Sequence, residues 1–154
     1  MKQIKIFSLI LSLSIITSIS NAQSFKVPPY EKFKLPNGLT IYLMEQHDVP
    51  VINVSAVLPA GAIYDGDKAG LASLTATALK HGTKNFPKVK LDEELDFIGA
   101  SVYTYASKES SGLSAKFASK DKEEVLAIIK DLLMEPVFDQ SEFDKEKQRL
   151  LVSL

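Results

Sequence analysis

The feature that most constrains the fold is the stretch Gly70–Thr83, which reads Gly-Leu-Ala-Ser-Leu-Thr-Ala-Thr-Ala-Leu-Lys-His-Gly-Thr. Its apolar residues recur at helical spacing, which predicts a single amphipathic helix. Asp67 is placed to cap the first turn, and Gly82 is placed to end the helix in a left-handed turn. The apolar stripe consists of Leu71, Leu74, Ala78 and Leu79. A strip of small residues lies beside it and consists of Ala72, Ser73, Ala76 and Thr77.

The two flanks of this stretch, Gly-Leu-Ala before and Gly-Thr after, resemble the zinc-site helix of the insulinase (pitrilysin, M16) family of metallopeptidases. In that family the same frame carries His-x-x-Glu-His, in which two histidines one turn apart bind Zn²⁺ and the glutamate activates the metal-bound water. The resemblance places the two histidine positions at Ser73 and Thr77 and the general base at Ala76. It therefore implies a non-catalytic member of the family, in which these three positions are degenerate.

Histidine and cysteine usage supports the same interpretation. The chain has two histidines, His47 and His81, and no cysteine, so it offers no histidine pair at i, i+4. We expect no metal cofactor, although zinc is the cofactor of the family. His81 is interpreted as a residue that complements the dipole at a helix C-terminus. The alternative, a metal role shared with His47, leaves a zinc site short of ligands.

The start of the chain has the order of an export signal. Two lysines precede the apolar run Ile6–Ile16, which is too short to span a bilayer comfortably, and Ser20–Ala22 is a small-residue cleavage site. We expect residues 1–22 to be a signal peptide and Gln23 to begin an exported, periplasmic or extracellular protein. The alternative is an uncleaved membrane anchor. Without cysteine there is no lipid attachment, so we expect no stable membrane anchor after cleavage.

The charge and the length of the chain limit which partners it can bind and how many domains it can form. The net charge is −1 at pH 7, and the sequence has no basic run or aromatic-basic patch, which argues against nucleic acid as a partner. Residues 23–30 are interpreted as a linker. Residues 31–154 suffice for one domain with its own core.

The periodicity of the remaining chain predicts strands and helices in alternating groups. The predicted strands are Glu31–Leu35, Leu39–Glu45, Val51–Leu58, Ala100–Ser107 and Gly112–Phe117, the first two joined by the turn at Pro36–Gly38. The predicted further helices are Leu91–Ile98, Lys122–Glu135 and a last helix that Ser141 caps and that runs to Leu154. This order predicts an α+β domain in which helices cover one face of a largely antiparallel mixed sheet.

The resemblance to the M16 family extends over nearly all of Tyr30–Leu154. The matching pieces are Leu35–Leu39, Pro59–Gly61, Gly70–Thr83, Gly99–Ser101 and Pro136–Asp139. It places the third zinc ligand at Ser153, with Glu146 as the nearest acidic alternative. Family domains continue beyond this point, so the chain looks like the N-terminal part of an insulinase-type domain, truncated at its C-terminal end.

The strand around Tyr103 resembles the edge strand on which family peptidases bind substrate by β-augmentation. The resemblance implies a peptide-binding edge at Val102, Tyr103, Thr104, Tyr105 and Ala106. The alternative is an ordinary strand, because tyrosine and threonine are good strand formers.

Three functions are consistent with the sequence. The first is an inactive subunit that partners a zinc-bearing homologue and helps enclose or bind peptide, as heterodimeric members of the family do. The second is a stand-alone peptide-binding or structural module. The third is a zinc endopeptidase with unorthodox ligands, and it is the most remote of the three.

Overall fold

The computed structural model describes residues 27–152. The predicted signal peptide, its cleavage site and Ser153 lie outside the described residues. The chain divides into two compact units, residues 1–46 and 47–154, and each is described by itself.

The first unit contains a β-hairpin. Its strands β1 (Glu31–Lys34) and β2 (Thr40–Leu43) pair antiparallel, which confirms the predicted hairpin. The strands are shorter than predicted because the loop makes its own hydrogen bonds, with the Leu35 amide donating to the Leu39 carbonyl at 2.8 Å. Gly38 has φ +90°, a conformation that glycine adopts without a Cβ penalty.

The second unit is built on a three-stranded antiparallel sheet. Its strands are β3 (Val51–Leu58), β4 (Ser101–Ala106) and β5 (Ser111–Ala118). The spatial order is β3-β5-β4, so β5 is central and β4 is an outer strand of the described sheet.

Four α-helices complete the second unit. They are α1 (Leu71–Ala78), α2 (Lys88–Ile98), α3 (Lys122–Met134) and α4 (Gln140–Val152). Helix α2 begins three residues before the predicted start, directly after Pro87, and ends at Gly99 in the left-handed conformation as predicted. Helix α3 ends two residues before Pro136, because the residue before a proline avoids the helical region. Within residues 27–152, no helix is both long and apolar enough to cross a bilayer.

The core of the second unit lies between one face of the sheet and helices α2 and α3. Val102 of β4 is opposite Ala115 of β5, and both side chains are buried against the two helices. The core side chains from the helices are Leu91, Leu95, Val125, Ile128, Ile129 and Leu132. Removing these apolar groups from water is the main stabilising contribution. The predicted α+β class, with antiparallel strands and helices on one face, is confirmed.

The prediction of one continuous helix over Gly70–Thr83 is wrong at its C-terminal end. Helix α1 ends at Ala78, and residues Leu79–His81 form a 3₁₀ turn. Gly82 follows with φ +113° and ψ 167°, so it has a positive φ but lies outside the left-handed helical region. A Cβ at Gly82 would lie 2.7 Å from the Lys88 backbone nitrogen, and this close approach requires glycine.

The segment after the 3₁₀ turn ties two distant stretches of chain together. Thr83 is 2% exposed and exchanges hydrogen bonds with Phe86 through both its amide and its hydroxyl group. The Gly82 carbonyl accepts from the Val137 amide at 3.1 Å. The Gly-Thr ending therefore has a structural role that is independent of metal chemistry.

Two predicted N-caps are also wrong. Asp65, not Asp67, accepts at the start of α1: its two carboxylate oxygens each accept one amide, from Gly70 and Ala72, both at 2.9 Å. At the start of α4, the Asp139 carboxylate takes the role predicted for Ser141 and accepts from the Glu142 amide at 3.0 Å. In both cases the acidic side chain lies further upstream than helix periodicity indicated.

Candidate functional site

The positions that the resemblance assigns to the zinc motif lie on α1, with Ser73 one turn before Thr77. The Thr77 hydroxyl donates to the Ser73 carbonyl at 3.1 Å, so it is bonded to its own helix. The two side chains differ in exposure, since Ser73 is half-buried and Thr77 is exposed. Ala76 is 4% exposed and supplies no proton acceptor.

Thr77 lines a polar cleft of about 270 Å³ beside the outer strand β4. The residues that line this polar cleft are Thr77, Lys80, His81, Lys88, Asp92, Tyr103, Thr104 and Glu146. They come from α1 and the 3₁₀ turn that follows it, from α2, from β4 and from α4. The cleft thus brings together the second histidine position, two residues of the predicted peptide-binding edge, and Glu146.

His81 lies in the polar cleft and is 6% exposed. Its Nε2 is 4.0 Å from Glu146 Oε1. Its Nδ1 is buried and has no hydrogen-bond partner among the described residues. His81 does occupy the last turn before Gly82 as predicted, but its burial against α4 could not be read from helix periodicity.

Most charges of the polar cleft are paired locally. Lys88 Nζ lies 2.9 Å from Asp92 Oδ2, and this hydrogen bond raises the pKa of Lys88 above its usual value. Glu146 forms an ion pair with Arg149 one turn later on α4. Lys80 differs, because its Nζ lies 5.8 Å from the ring centroid of Tyr103 and none of the residues 27–152 places a carboxylate at ion-pair distance from it.

The predicted peptide-binding strand presents two unlike faces. Tyr103 is 63% exposed and Tyr105 is also exposed, whereas Val102 is buried in the core and offers no side chain to a ligand. Thr104 and Ala106 are half-buried. A peptide at this edge would therefore meet the β4 backbone, the exposed tyrosines and the polar cleft.

The other side of α1 lines an apolar groove of about 370 Å³. Ala76, the general-base position, lies in this groove beside Ala72 and Leu79, and the opposite wall includes Leu58 and Leu133. The apolar groove and the polar cleft share no lining residue.

Lys80, Lys88 and Asp92 were not among the residues singled out in the sequence. The available signal was helical spacing, since Lys80 follows Thr77 by three positions and such residues share a helix face. Across residues 27–152, no group of three or more His, Cys, Asp or Glu side chains is placed to hold a metal ion.

Comparison with known proteins identifies the fold that carries this site. The family profile described as "Insulinase (Peptidase family M16)" matches residues 40–153. This chain belongs to the M16 family. A solved structure of a peptidase M16 inactive domain from Pseudomonas fluorescens matches with a TM-score of 0.77 at 20% identity, over 80% of this M16 chain and 31% of that chain.

Several M16 relatives are similar in sequence. The non-peptidase homolog YmxG of Helicobacter pylori is 30% identical over 129 residues, which is 77% of this chain and 30% of that protein. Cytochrome b-c1 complex subunit 1 of Bos taurus is 29% identical over 83% of this chain and 27% of its own length. The β subunit of the mitochondrial-processing peptidase of Saccharomyces cerevisiae is 28% identical over 83% of this chain and 28% of its own length. This M16 chain thus spans less than a third of each of these relatives.

Proposed function

We propose that this chain is a non-catalytic M16 subunit that pairs with a zinc-bearing homologue and helps to hold an extended peptide. The observation that carries the proposal is the chemistry of the side chains at the three motif positions on α1. Ser73 and Thr77 offer a hydroxyl pair in which one hydroxyl is bonded to the helix backbone, and Ala76 is packed into an apolar groove. Hydroxyl groups of this kind are not the imidazole, thiolate or carboxylate ligands that Zn²⁺ takes in proteins.

The geometry around α1 supports a binding role. The polar cleft lies beside β4, whose outer edge is not paired with another strand among the described residues. A peptide can add to such an edge through main-chain hydrogen bonds, and side-chain pockets then give specificity. For binding, the cleft needs an accessible edge and polar groups but no metal.

The relatives support the partner role by analogy. Two of them are named as subunits of larger assemblies, and a third is named as a non-peptidase homologue. We extend this to a heterodimer in which the homologue supplies zinc and this chain supplies part of the peptide-binding surface.

We also propose that the protein is exported, as its first 22 residues predict. The supporting observation is the basic, apolar and small-residue order of that segment. N-terminal sequencing of exported protein should begin at or near Gln23. Exported protein that retains Met1 would contradict this.

Co-expression with a homologue from the same genome that carries intact His-x-x-Glu-His tests the partner proposal. The two chains should co-elute as a stable complex, and the complex should cleave peptides faster than the homologue alone. The matched control replaces the motif glutamate of the homologue by glutamine, which should abolish cleavage by the complex and so assign the chemistry to the homologue.

Each of the other outcomes would indicate a different function. Separate elution with an unchanged rate refutes the subunit role. Peptide binding by this chain alone would then favour the stand-alone module. Hydrolysis by this chain alone that a chelator abolishes, together with stoichiometric zinc, would favour an enzyme with unorthodox ligands.

A further inference from the structure

We propose that the peptide-binding edge selects an acidic side chain at the peptide position opposite Tyr103, and that Lys80 determines this selectivity. The inference rests on the proposed function, because it assumes that an extended peptide pairs with β4. It assigns to that site a substrate class: extended peptides with Asp or Glu at one defined position.

Strand geometry brings the peptide side chain to Lys80. When a peptide pairs antiparallel with β4, the residue directly opposite Tyr103 lies on the same face of the sheet, with Cβ atoms about 5 Å apart. Tyr103 is 63% exposed, so its side chain is available on that face. The Lys80 ammonium lies 5.8 Å from the Tyr103 ring centroid and is therefore within reach of a carboxylate at that peptide position.

The charges around the cleft favour an anion at this point. Asp92 is paired with Lys88, and Glu146 is paired with Arg149 and also faces His81. Lys80 is the cation of the cleft to which no carboxylate among the described residues is paired. An incoming carboxylate would supply the missing counter-charge without displacing an existing ion pair.

The expected size of the Glu preference follows from the exposure of the Lys80 site to solvent. Charge pairs at solvent-accessible sites contribute modestly, so we expect a Glu peptide to bind about two- to five-fold more tightly than its Gln counterpart. The preference should weaken with added salt, because accessible charges are screened.

The test measures fluorescence anisotropy of labelled nine-residue, β-prone peptides with the full chain. Each of the five central positions carries Glu, Gln or Lys in turn, and N-methylated versions report whether main-chain pairing is used. At one position Glu should bind more tightly than Gln, and Lys should bind most weakly. K80M should remove the difference between Glu and Gln.

The control variant is K84M, which makes the same charge change at a lysine outside the cleft that is bonded to Glu135. It should retain the Glu preference. If peptides bind but Glu and Gln are equivalent at every position, or if K80M keeps the preference, the selectivity is refuted and the peptide-binding role stands. If no peptide binds, either to this chain alone or to its complex with the zinc-bearing homologue, the selectivity and the peptide-binding part of the proposed function are both refuted.

Discussion

The two sides of helix α1 face surroundings of opposite polarity. One side faces the apolar groove and contributes Ala72 and Ala76, while the other faces the polar cleft and contributes Thr77. In the family the second histidine binds the metal and the general base activates the water bound to that metal, but here the two positions line separate cavities. Adjacent positions on a helix point about 100° apart, so one can pack into apolar surroundings while its neighbour remains in water.

This difference bears on which of the positions assigned to the zinc motif can accept a polar side chain. Ala76 is 4% exposed, and a larger polar group there would extend into the apolar groove that Ala76 lines. Thr77 is exposed, and its hydroxyl needs only a backbone carbonyl. Restoring the motif by substitution would therefore meet resistance at the base position before any question of zinc arises.

The largest expected effect comes from placing glutamate on each side of α1. A76E buries a carboxylate in apolar surroundings and should destabilise the fold by about 3 kcal/mol. T77E places the same group in the polar cleft and should change stability by less than about 0.5 kcal/mol. Urea denaturation of both variants measures the difference.

A76Q separates charge from size, since it should recover part of the loss caused by A76E. Equal midpoints for A76E and T77E would show that the two sides of the helix are not distinct environments.

A smaller effect is expected at the N-terminus of α1. D65A removes the acceptors of the Gly70 and Ala72 amides and should cost about 1 kcal/mol, the usual size of a lost cap. D67A, the variant suggested by sequence alone, should have little effect. Thermal unfolding of both variants decides between the two caps, and a larger loss for D67A would reverse the assignment.

The smallest effect is expected for the ion pair within the polar cleft. K88M removes the i, i+4 pair with Asp92, in which both side chains are substantially exposed, and should cost about 0.3 kcal/mol. The bond to Asp92 raises the pKa of Lys88 in the folded state. Its contribution is therefore fully present below the unfolded-state pKa and is lost as the pH rises through the folded-state pKa.

The difference in unfolding free energy between K88M and the parent should thus be constant near neutral pH and should vanish in strongly alkaline solution. Denaturant titrations of both proteins near neutral pH and in strongly alkaline solution measure this difference. A difference that persists at alkaline pH would indicate that the Lys88 stem, not its charge, makes the contribution.

Local patterns predicted the elements of this fold well. The alternation of Val51–Leu58 gave both ends of β3 correctly, and Gly99 gave the end of α2. Features that depend on chain reversal were not predictable in this way. Asp65 reaches the start of α1 only because the intervening turn brings it back, and periodicity contains no information about that turn.

The candidate site was predictable in part. The motif positions followed from the frame around α1, which resembles a known family. The burial of His81 depends on where α4 packs, and the division of Ala76 and Thr77 between two cavities depends on side chains from β3, β5 and α3. These are contacts between residues distant in sequence, which helix and strand periods do not specify.

The hydrogen bonds that Gly82 and Thr83 make bear on how M16 chains are recognised from their sequences. These hydrogen bonds hold the Phe86 and Val137 segments and involve none of the positions Ser73, Ala76 and Thr77. The M16 frame thus has two parts with different roles in this chain: the Gly-Thr ending makes contacts within the fold, and the interior of the helix holds the positions that the resemblance assigns to the zinc motif. A search pattern that scores the two parts separately would sort peptidases from their inactive counterparts, whereas one combined score would merge them.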